Sequence, residues 1–207
     1  MTGAPARPDA VLQDAALHAD ARRPSRREEI LRAAARLFAE RGSRAVGVDD
    51  IGAAVGVSGP AIYRHFTSKD AMLAEMLLRI SERLLGGATE RVAAAGADPR
   101  EQLRALVAFQ VDFALDNPAL ITVQDRDLGS LAAADAAEVR RLQRRYVEVW
   151  VAVLARLHPA AGAEACRARA HAVFGLINST PHSGGRLPRP AMAELLATMA
   201  ETAATAG

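Results

Sequence analysis

The side chains best suited to chemistry occupy a short stretch between residues 44 and 69. It combines small residues with an aromatic ring, an imidazole and several cations, and it ends at the only lysine of the chain. Small residues at the start of a helix allow close approach to a DNA major groove about 12 Å wide, where polar and cationic groups reach base edges and phosphates. The candidate DNA-contacting residues are Arg44, Gly47, Ser58, Gly59, Pro60, Ala61, Tyr63, Arg64, His65 and Lys69.

Positive charge is concentrated around this stretch, although the whole chain carries a formal net charge of only +2. Residues 22–69 hold ten basic and five acidic side chains, whereas the chain from Asp70 onward holds fifteen basic and sixteen acidic ones. Such a concentration is expected where a protein meets a polyanion. A solvated helix face rich in arginine would show the same excess, so charge alone leaves both interpretations open.

A second group of candidates lies farther along the chain, where one amide interrupts an apolar helical stripe. Gln110 stands at helical spacing among residues such as Leu103 and Val107. A buried amide needs hydrogen-bonding partners, which either a neighbouring side chain or a bound ligand would supply. We expect a largely apolar pocket built by several helices, and its candidate lining residues are Leu106, Gln110, Phe113, Ile121, Trp150, Phe174 and Asn178.

Two further polar segments each allow two interpretations. The run Gln124–Asp127 follows an apolar helix, so it either presents charge at the mouth of a pocket or forms a solvated cluster of ion pairs. The run Asn178–Ser183 ends a hydrophobic helix, where hydrogen-bonding side chains suit capping and a turn. The alternative for this second run is a ligand or interface role.

Catalytic and metal-binding patterns are not evident in the sequence. The histidines at 158, 171 and 182 lack metal-ligand spacing, and no Gly-rich phosphate loop follows a predicted strand. Cys166, the only cysteine, has no local nucleophile motif and suits a reducing compartment. We therefore predict no catalytic residues, no metal and no cofactor, and the chain is not expected to be an enzyme.

The termini and the hydropathy pattern predict a cytoplasmic protein without a membrane partner. No stretch approaches the roughly 18 consecutive apolar residues that a membrane helix needs. Asp9, Asp14 and Asp20 interrupt the apolar residues near the N-terminus, so a signal-peptide core is not expected. Residues 1–23 are interpreted as a mobile extension because they carry no pattern that demands packing.

Helices must position the candidate residues, because the sequence is rich in alanine and shows no alternating strand pattern. Ser25 and Glu28 have the spacing of a capping box, and Gly42 is a helix stop. A second, short helix ends at Gly56, and a third begins with Ser58 as its N-cap. Two short helices joined by a tight glycine turn predict a helix-turn-helix within a three-helix domain at residues 24–69.

Residues 70–207 form the remaining predicted unit, which is also all-α. Its first helix is expected to run from Asp70 to Leu85 and to end at a flexible Gly86-Gly87 pair. Further start signals are Asp98-Pro99 and Asn117-Pro118, and long amphipathic helices follow. This unit is predicted to bind an effector and to dimerise.

Six short segments within residues 26–77 have a recognisable order and spacing. They are Arg27–Ala34, Leu37–Gly42, Asp49–Ile51, Val55–Ser58, Ile62–Phe66 and Ser68–Asp70. Together they resemble the DNA-binding part of the TetR family of transcriptional repressors. Val46 and Gly47 depart from the Thr or Ser that the family usually places before the second helix, and Gly52 replaces a common Ala. The resemblance implies that Lys69 contacts a phosphate.

The resemblance also implies partners. TetR-type proteins bind near-palindromic operators as homodimers, and their last long helices form the dimer interface. Here these helices are expected at residues 161–179 and 190–204, with alanines that allow close approach, namely Ala168, Ala172, Ala193, Ala197 and Ala200. The stretches 121–131 and 172–183 are similar to TetR-type regulators of lipid metabolism in high-GC actinobacteria. They imply a small hydrophobic effector, such as an acyl-CoA or another lipid-like molecule, that releases a repressor from DNA.

Three classes of function are therefore compared. A ligand-responsive repressor accounts for both halves of the chain. A DNA-binding architectural protein without ligand accounts for residues 25–69 but leaves the later helices without a task. A helical enzyme has the least support, because no catalytic pattern is present.

Overall fold

The computed structural model describes residues 25–183 and 187–206, and every regular element within these ranges is helical. The predicted all-α class is confirmed. The predicted N-terminal extension and the Gly184-Gly185 pair lie outside the described residues. The helices are α1 (Arg26–Arg41), α2 (Val48–Ala54), α3 (Gly59–Ile62), α4 (Lys69–Ala94), α5 (Pro99–Asp116), α6 (Pro118–Asp127), α7 (Ala133–Leu157), α8 (Ala163–Ile177), α9 (Thr180–Ser183) and α10 (Arg189–Thr205), with a 3₁₀ turn at Leu128–Ser130.

The first three helices pack around a small apolar core. The predicted capping box is present, since Ser25 N–H donates to Glu28 Oε2 at 2.7 Å and Glu28 N–H donates to Ser25 Oγ at 3.3 Å. Gly42 ends α1 with a φ of 87°, a conformation that favours glycine. The core side chains are all nearly inaccessible to solvent, and they include Ile30, Phe38, Val46, Ile51, Ile62 and Phe66.

The remaining helices form a larger bundle. Helices α4, α5 and α7 pack against one another, α8 packs against α7, and α10 packs against α5 and α8. Fully buried side chains such as Leu77, Leu106 and Trp150 fill the space between them. Helix α6 turns away from this bundle and packs against α1, which places it between the two parts of the chain.

Helix α4 continues nine residues beyond its predicted end at Leu85 and stops at Ala94. The Gly86-Gly87 pair therefore lies inside a continuous helix. A Cβ atom added at Gly87 would lie 2.4 Å from Cζ of Phe109. The expectation of a flexible hinge was wrong, because Gly87 allows the Phe109 ring of α5 to pack directly on the α4 backbone.

Membrane-crossing potential is low among the described helices. No single one is long and apolar enough to span a bilayer, and Pro99–Asp116 with Pro118–Ser130 meets the length and composition criteria only as a pair bent by 89°.

Candidate DNA-binding surface and effector cavity

The segment after the glycine turn presents an exposed face. Helix α3 has only four residues, and Tyr63 to His65 continue it as a turn, so the predicted recognition helix is shorter than its sequence pattern suggested. Ile62 and Phe66 point into the core, while Tyr63 is 57% exposed. The solvent-facing side chains of this segment are Ser58, Pro60, Tyr63 and Arg64, and Ala61 and His65 are partly exposed.

Ser58 begins α3, as predicted, but its side chain makes no capping hydrogen bond. Its hydroxyl group is consequently exposed and uncommitted to the helix. Gly59 differs from its neighbours because it is buried, and a Cβ atom at this position would lie 2.0 Å from Oδ1 of Asp49. Gly59 therefore allows α3 to approach α2, and its backbone does not belong to the exposed face on which the sequence placed it.

The three positions that depart from the TetR pattern have local explanations. Val46 is buried in the small core, so its side chain contributes packing. A Cβ atom at Gly52 would lie 2.7 Å from the carbonyl oxygen of Val57, and the turn between α2 and α3 leaves no room for alanine there. Gly47 begins α2 without a side chain, and its N–H donates to Asp50 Oδ2 at 2.7 Å.

Lys69 holds the turn that precedes α2. Its ammonium donates to the carbonyl oxygen of Val46 at 3.0 Å and to that of Arg44 at 3.4 Å. The Arg44 side chain itself is exposed. Lys69 is thus partly buried and engaged with the backbone, and its contact with a phosphate stays a prediction.

Arg27 is a structural residue that the sequence did not single out. Its guanidinium donates to Glu75 Oε1 at 2.9 Å and to the carbonyl oxygen of His65, and it stands 4.1 Å from the centroid of the Phe66 ring. It therefore connects α1, the segment after α3, and α4. Local spacing carries no signal for a contact between residues 48 positions apart.

Helix α6 contacts the first part of the chain through two charged residues. The Ser43 hydroxyl donates to Asp127 Oδ1 at 2.8 Å, and both residues are buried. Arg126 donates to the carbonyl oxygens of Phe38 and Ala39, near the end of α1. These two residues form an ion pair with each other at 3.1 Å, but Asp127 is buried and both side chains join α6 to the end of α1 and the turn after it, so they do not lie at the mouth of a pocket.

A cavity of about 330 Å³ lies among α4, α5, α6, α7 and α8. Its wall is formed by Ser81, Leu84, Gln110, Gln124, Asp125, Leu128, Gln143, Tyr146, Val147, His171, Phe174 and Asn178. Three of the predicted lining residues are on this wall, namely Gln110, Phe174 and Asn178. The other four, Leu106, Phe113, Ile121 and Trp150, are buried in the packed core and do not line it.

The cavity wall carries a chain of hydrogen bonds. The Tyr146 hydroxyl donates to Gln110 Oε1 at 2.7 Å, and Gln110 Nε2 donates to Asn178 Oδ1 at 2.9 Å. Burial raises the pKa of Tyr146, which keeps the phenol protonated as a donor. The partners of Gln110 are thus side chains, and the wall is far more polar than the apolar pocket with one amide that the sequence predicted.

Acidic and aromatic groups complete this wall. Burial raises the pKa of Asp125, and the nearby His182 acts in the opposite direction. The Phe174 ring stacks on Tyr146 with centroids 5.4 Å apart. The cavity can therefore accept a ligand that offers both hydrogen-bonding groups and a flat or apolar surface.

A helix-turn-helix unit packed on a helical domain with a cavity between its helices is the architecture of a class of bacterial regulatory proteins. The chain belongs to the TetR family within that class. The family model for bacterial regulatory proteins of the tetR family matches residues 30–76, and the tetracyclin repressor-like C-terminal domain matches residues 96–203. This membership confirms the family resemblance, and the family and the named relatives are transcriptional regulators rather than enzymes.

Three known proteins illustrate the similarity. The HTH-type transcriptional repressor KstR2 of Rhodococcus jostii is 37% identical over 62% of this chain and 63% of its own length. The HTH-type transcriptional activator FasR of Mycolicibacterium smegmatis is 37% identical over 44% of this chain and 41% of its own length. A crystal structure of AibR in complex with isovaleryl coenzyme A and operator DNA has the same fold, with 19% identity and a TM-score of 0.71 over 84% of this chain and 97% of that one.

Proposed function

We propose that this chain is a homodimeric repressor that binds a near-palindromic operator and is released by a small-molecule effector in the cavity. The observation that carries the proposal is the position of α6. This helix lines the cavity with Gln124 and Asp125, and its next two residues, Arg126 and Asp127, hold α1 and the turn before α2. A ligand that displaces α6 would therefore shift the DNA-binding unit, provided that it binds one arrangement better than the other.

The relatives support repression and an acyl-CoA class of effector. KstR2 of Rhodococcus jostii is named a repressor, and the AibR structure contains both isovaleryl coenzyme A and operator DNA. A ligand-binding cavity among the C-terminal helices is expected of a ligand-responsive regulator, whereas an architectural DNA-binding protein would not require one. The polar wall of the cavity favours a compact effector with several hydrogen-bonding groups over the largely apolar ligand expected from sequence.

The proposed dimer face lies on α8 and α10. Leu195 and Met199 are among the most exposed large apolar side chains in the described part of the chain, and both stand on α10. Ala168 and Ala172 of α8 are exposed as well, whereas Ala193 and Ala197 are half-buried. Ala200 is fully buried within the protomer, so it cannot contribute to an interface as the sequence suggested.

Operator binding can be tested with matched arginine substitutions. Arg64→Ala removes a cation from the exposed face after α3, whereas Arg100→Ala removes one from the exposed start of α5. Titrations against the promoter region of the gene should show a loss of affinity of about tenfold for Arg64→Ala. The slope of log affinity against log salt concentration should also become shallower by about one, because one phosphate contact is lost. Arg100→Ala should bind like the parent, and both variants should keep the parent's helical circular dichroism.

Tyr63→Ala should also weaken operator binding, because the ring is exposed and lies next to Arg64. If Arg64→Ala and Tyr63→Ala both bind this DNA as tightly as the parent, the face after α3 is not the DNA-binding surface and the proposal fails.

A further inference from the structure

A second depression of about 440 Å³ lies directly beside the cavity, between α7 and α8. Gln143, Val147 and His171 line both spaces, so the two adjoin at these side chains. The remaining lining residues of the second depression are charged, and they are Arg140, Arg144, Glu148 and Arg167. We call this depression the arginine groove.

The arginine groove is lined by more cationic side chains than carboxylates. Arg140 and Arg144 are exposed and stand one helical turn apart on α7, and no carboxylate among the described residues lies within ion-pair distance of either. Of the three arginines that line the groove only Arg167 is paired, with Glu148 and, at 3.7 Å, with Glu164. In contrast, Arg141 on the neighbouring face of α7 forms a two-point ion pair with Glu138, at 2.8 and 2.5 Å. The groove thus keeps two guanidinium groups free for an anion.

The cavity and the groove differ in what they can accept. The cavity has a volume of about 330 Å³, and its wall offers amide and hydroxyl groups. The groove is open to solvent on its outer side and offers planar guanidinium groups, which match phosphate oxygens in geometry and charge. A single ligand that spans both spaces needs a compact polar end and a phosphorylated end.

We infer that the arginine groove is the phosphate subsite of the effector, and that the cavity takes a short, oxygen-bearing acyl group. This is the chemistry of a coenzyme A thioester of a small polar acid. The inference rests on the proposed function, since it names the effector class of the same site. Arg140 and Arg144 bind the phosphates, and Gln110, Tyr146 and Asn178 meet the acyl end.

The chain offers a matched pair of double variants for the test. R140Q/R144Q removes two positive charges from the groove face of α7, and R141Q/R145Q removes two from the face beside Glu138. Calorimetric titration of the full-length protein with coenzyme A, and separately with inorganic pyrophosphate, should show binding by the parent. We expect R140Q/R144Q to lose about tenfold or more in affinity and R141Q/R145Q to change by less than about twofold.

Absence of binding by the parent to either probe would overturn the inference. Equal losses in the two double variants would also overturn it, because they would indicate non-specific attraction to a basic helix. For the acyl end, we expect 3-hydroxybutyryl-CoA to release the operator DNA and palmitoyl-CoA not to release it. Release by palmitoyl-CoA but not by 3-hydroxybutyryl-CoA would show that the cavity does not take a short, oxygen-bearing acyl group. Operator binding without ligand is measured alongside, so its loss in the parent would contradict the proposed function independently of the groove.

Discussion

Single glycines determine how closely the elements of the DNA-binding unit approach each other. Gly52 and Gly59 lie on either side of the turn between α2 and α3, and both are buried. At each position an added methyl group would collide with a neighbour, the Val57 carbonyl in one case and the Asp49 carboxylate in the other. Their role is thus to bring α2 and α3 together, which fixes the orientation of the exposed segment.

Gly59→Ala is expected to destabilise the protein by about 1–3 kcal/mol, because the new Cβ would overpack the contact with Asp49. Gly86→Ala is the matched control, since Gly86 lies within α4 and has nothing within 4 Å of an added Cβ. That control should gain up to about 1 kcal/mol from the better helix propensity of alanine. Urea denaturation followed by circular dichroism measures both, and a Gly59→Ala variant as stable as the parent would contradict the packing argument.

Local signals in the sequence were sufficient for both ends of α1 and for the turn at Gly56, but not for the length of α3. Ser25, Gly42 and Gly56 act on backbone groups within a few residues, so their effect can be predicted without tertiary structure. The cavity could not be predicted in the same way. Gln110 and Leu106 lie on one helix four residues apart, and only the packing of α7 and α8 decides that one lines the cavity while the other fills the core.

At the level of whole helices, α6 is the element that links cavity and DNA-binding unit. The Ser43–Asp127 hydrogen bond is buried, and Arg126 donates to the carbonyl oxygens of Phe38 and Ala39 near the end of α1. The sequence showed only a polar run after an apolar helix. Its role depends on contacts across more than eighty residues of chain.

Ser43→Ala should lower the free energy of unfolding by about 1–3 kcal/mol, because the buried Asp127 carboxylate would lose a hydroxyl donor. Operator affinity should fall as well, since Ser43 lies in the turn that leads into α2. Ser130→Ala, at a partly exposed position, is the control and should stay within about 0.5 kcal/mol of the parent. Equal stability of the two variants would show that the contact between α6 and the turn contributes nothing.

For the whole molecule, the last helix and the residues just before it carry exposed apolar side chains that an interaction partner could cover. Leu187, Leu195 and Met199 are each between 45% and 47% exposed, and they lie on or just before the last helix. Exposed apolar side chains that cluster on one face commonly mark an interaction surface. A second copy of the chain is the partner that a two-fold operator requires, because the symmetry of the protein is matched by the symmetry of the DNA site.

The double variant Leu195→Glu/Met199→Glu should therefore be a monomer, with a mass near 21.9 kDa in light scattering, whereas the parent should show about twice that value. Two carboxylates facing two others across a symmetric interface would repel and would lose their hydration. Ala133→Glu/Ala134→Glu adds the same charge at the exposed start of α7 and should remain a dimer. The monomeric variant should also bind the operator far more weakly, because its two recognition segments would no longer be held at a half-site spacing of about 34 Å. A dimeric mass for the α10 variant would place the interface elsewhere on the surface.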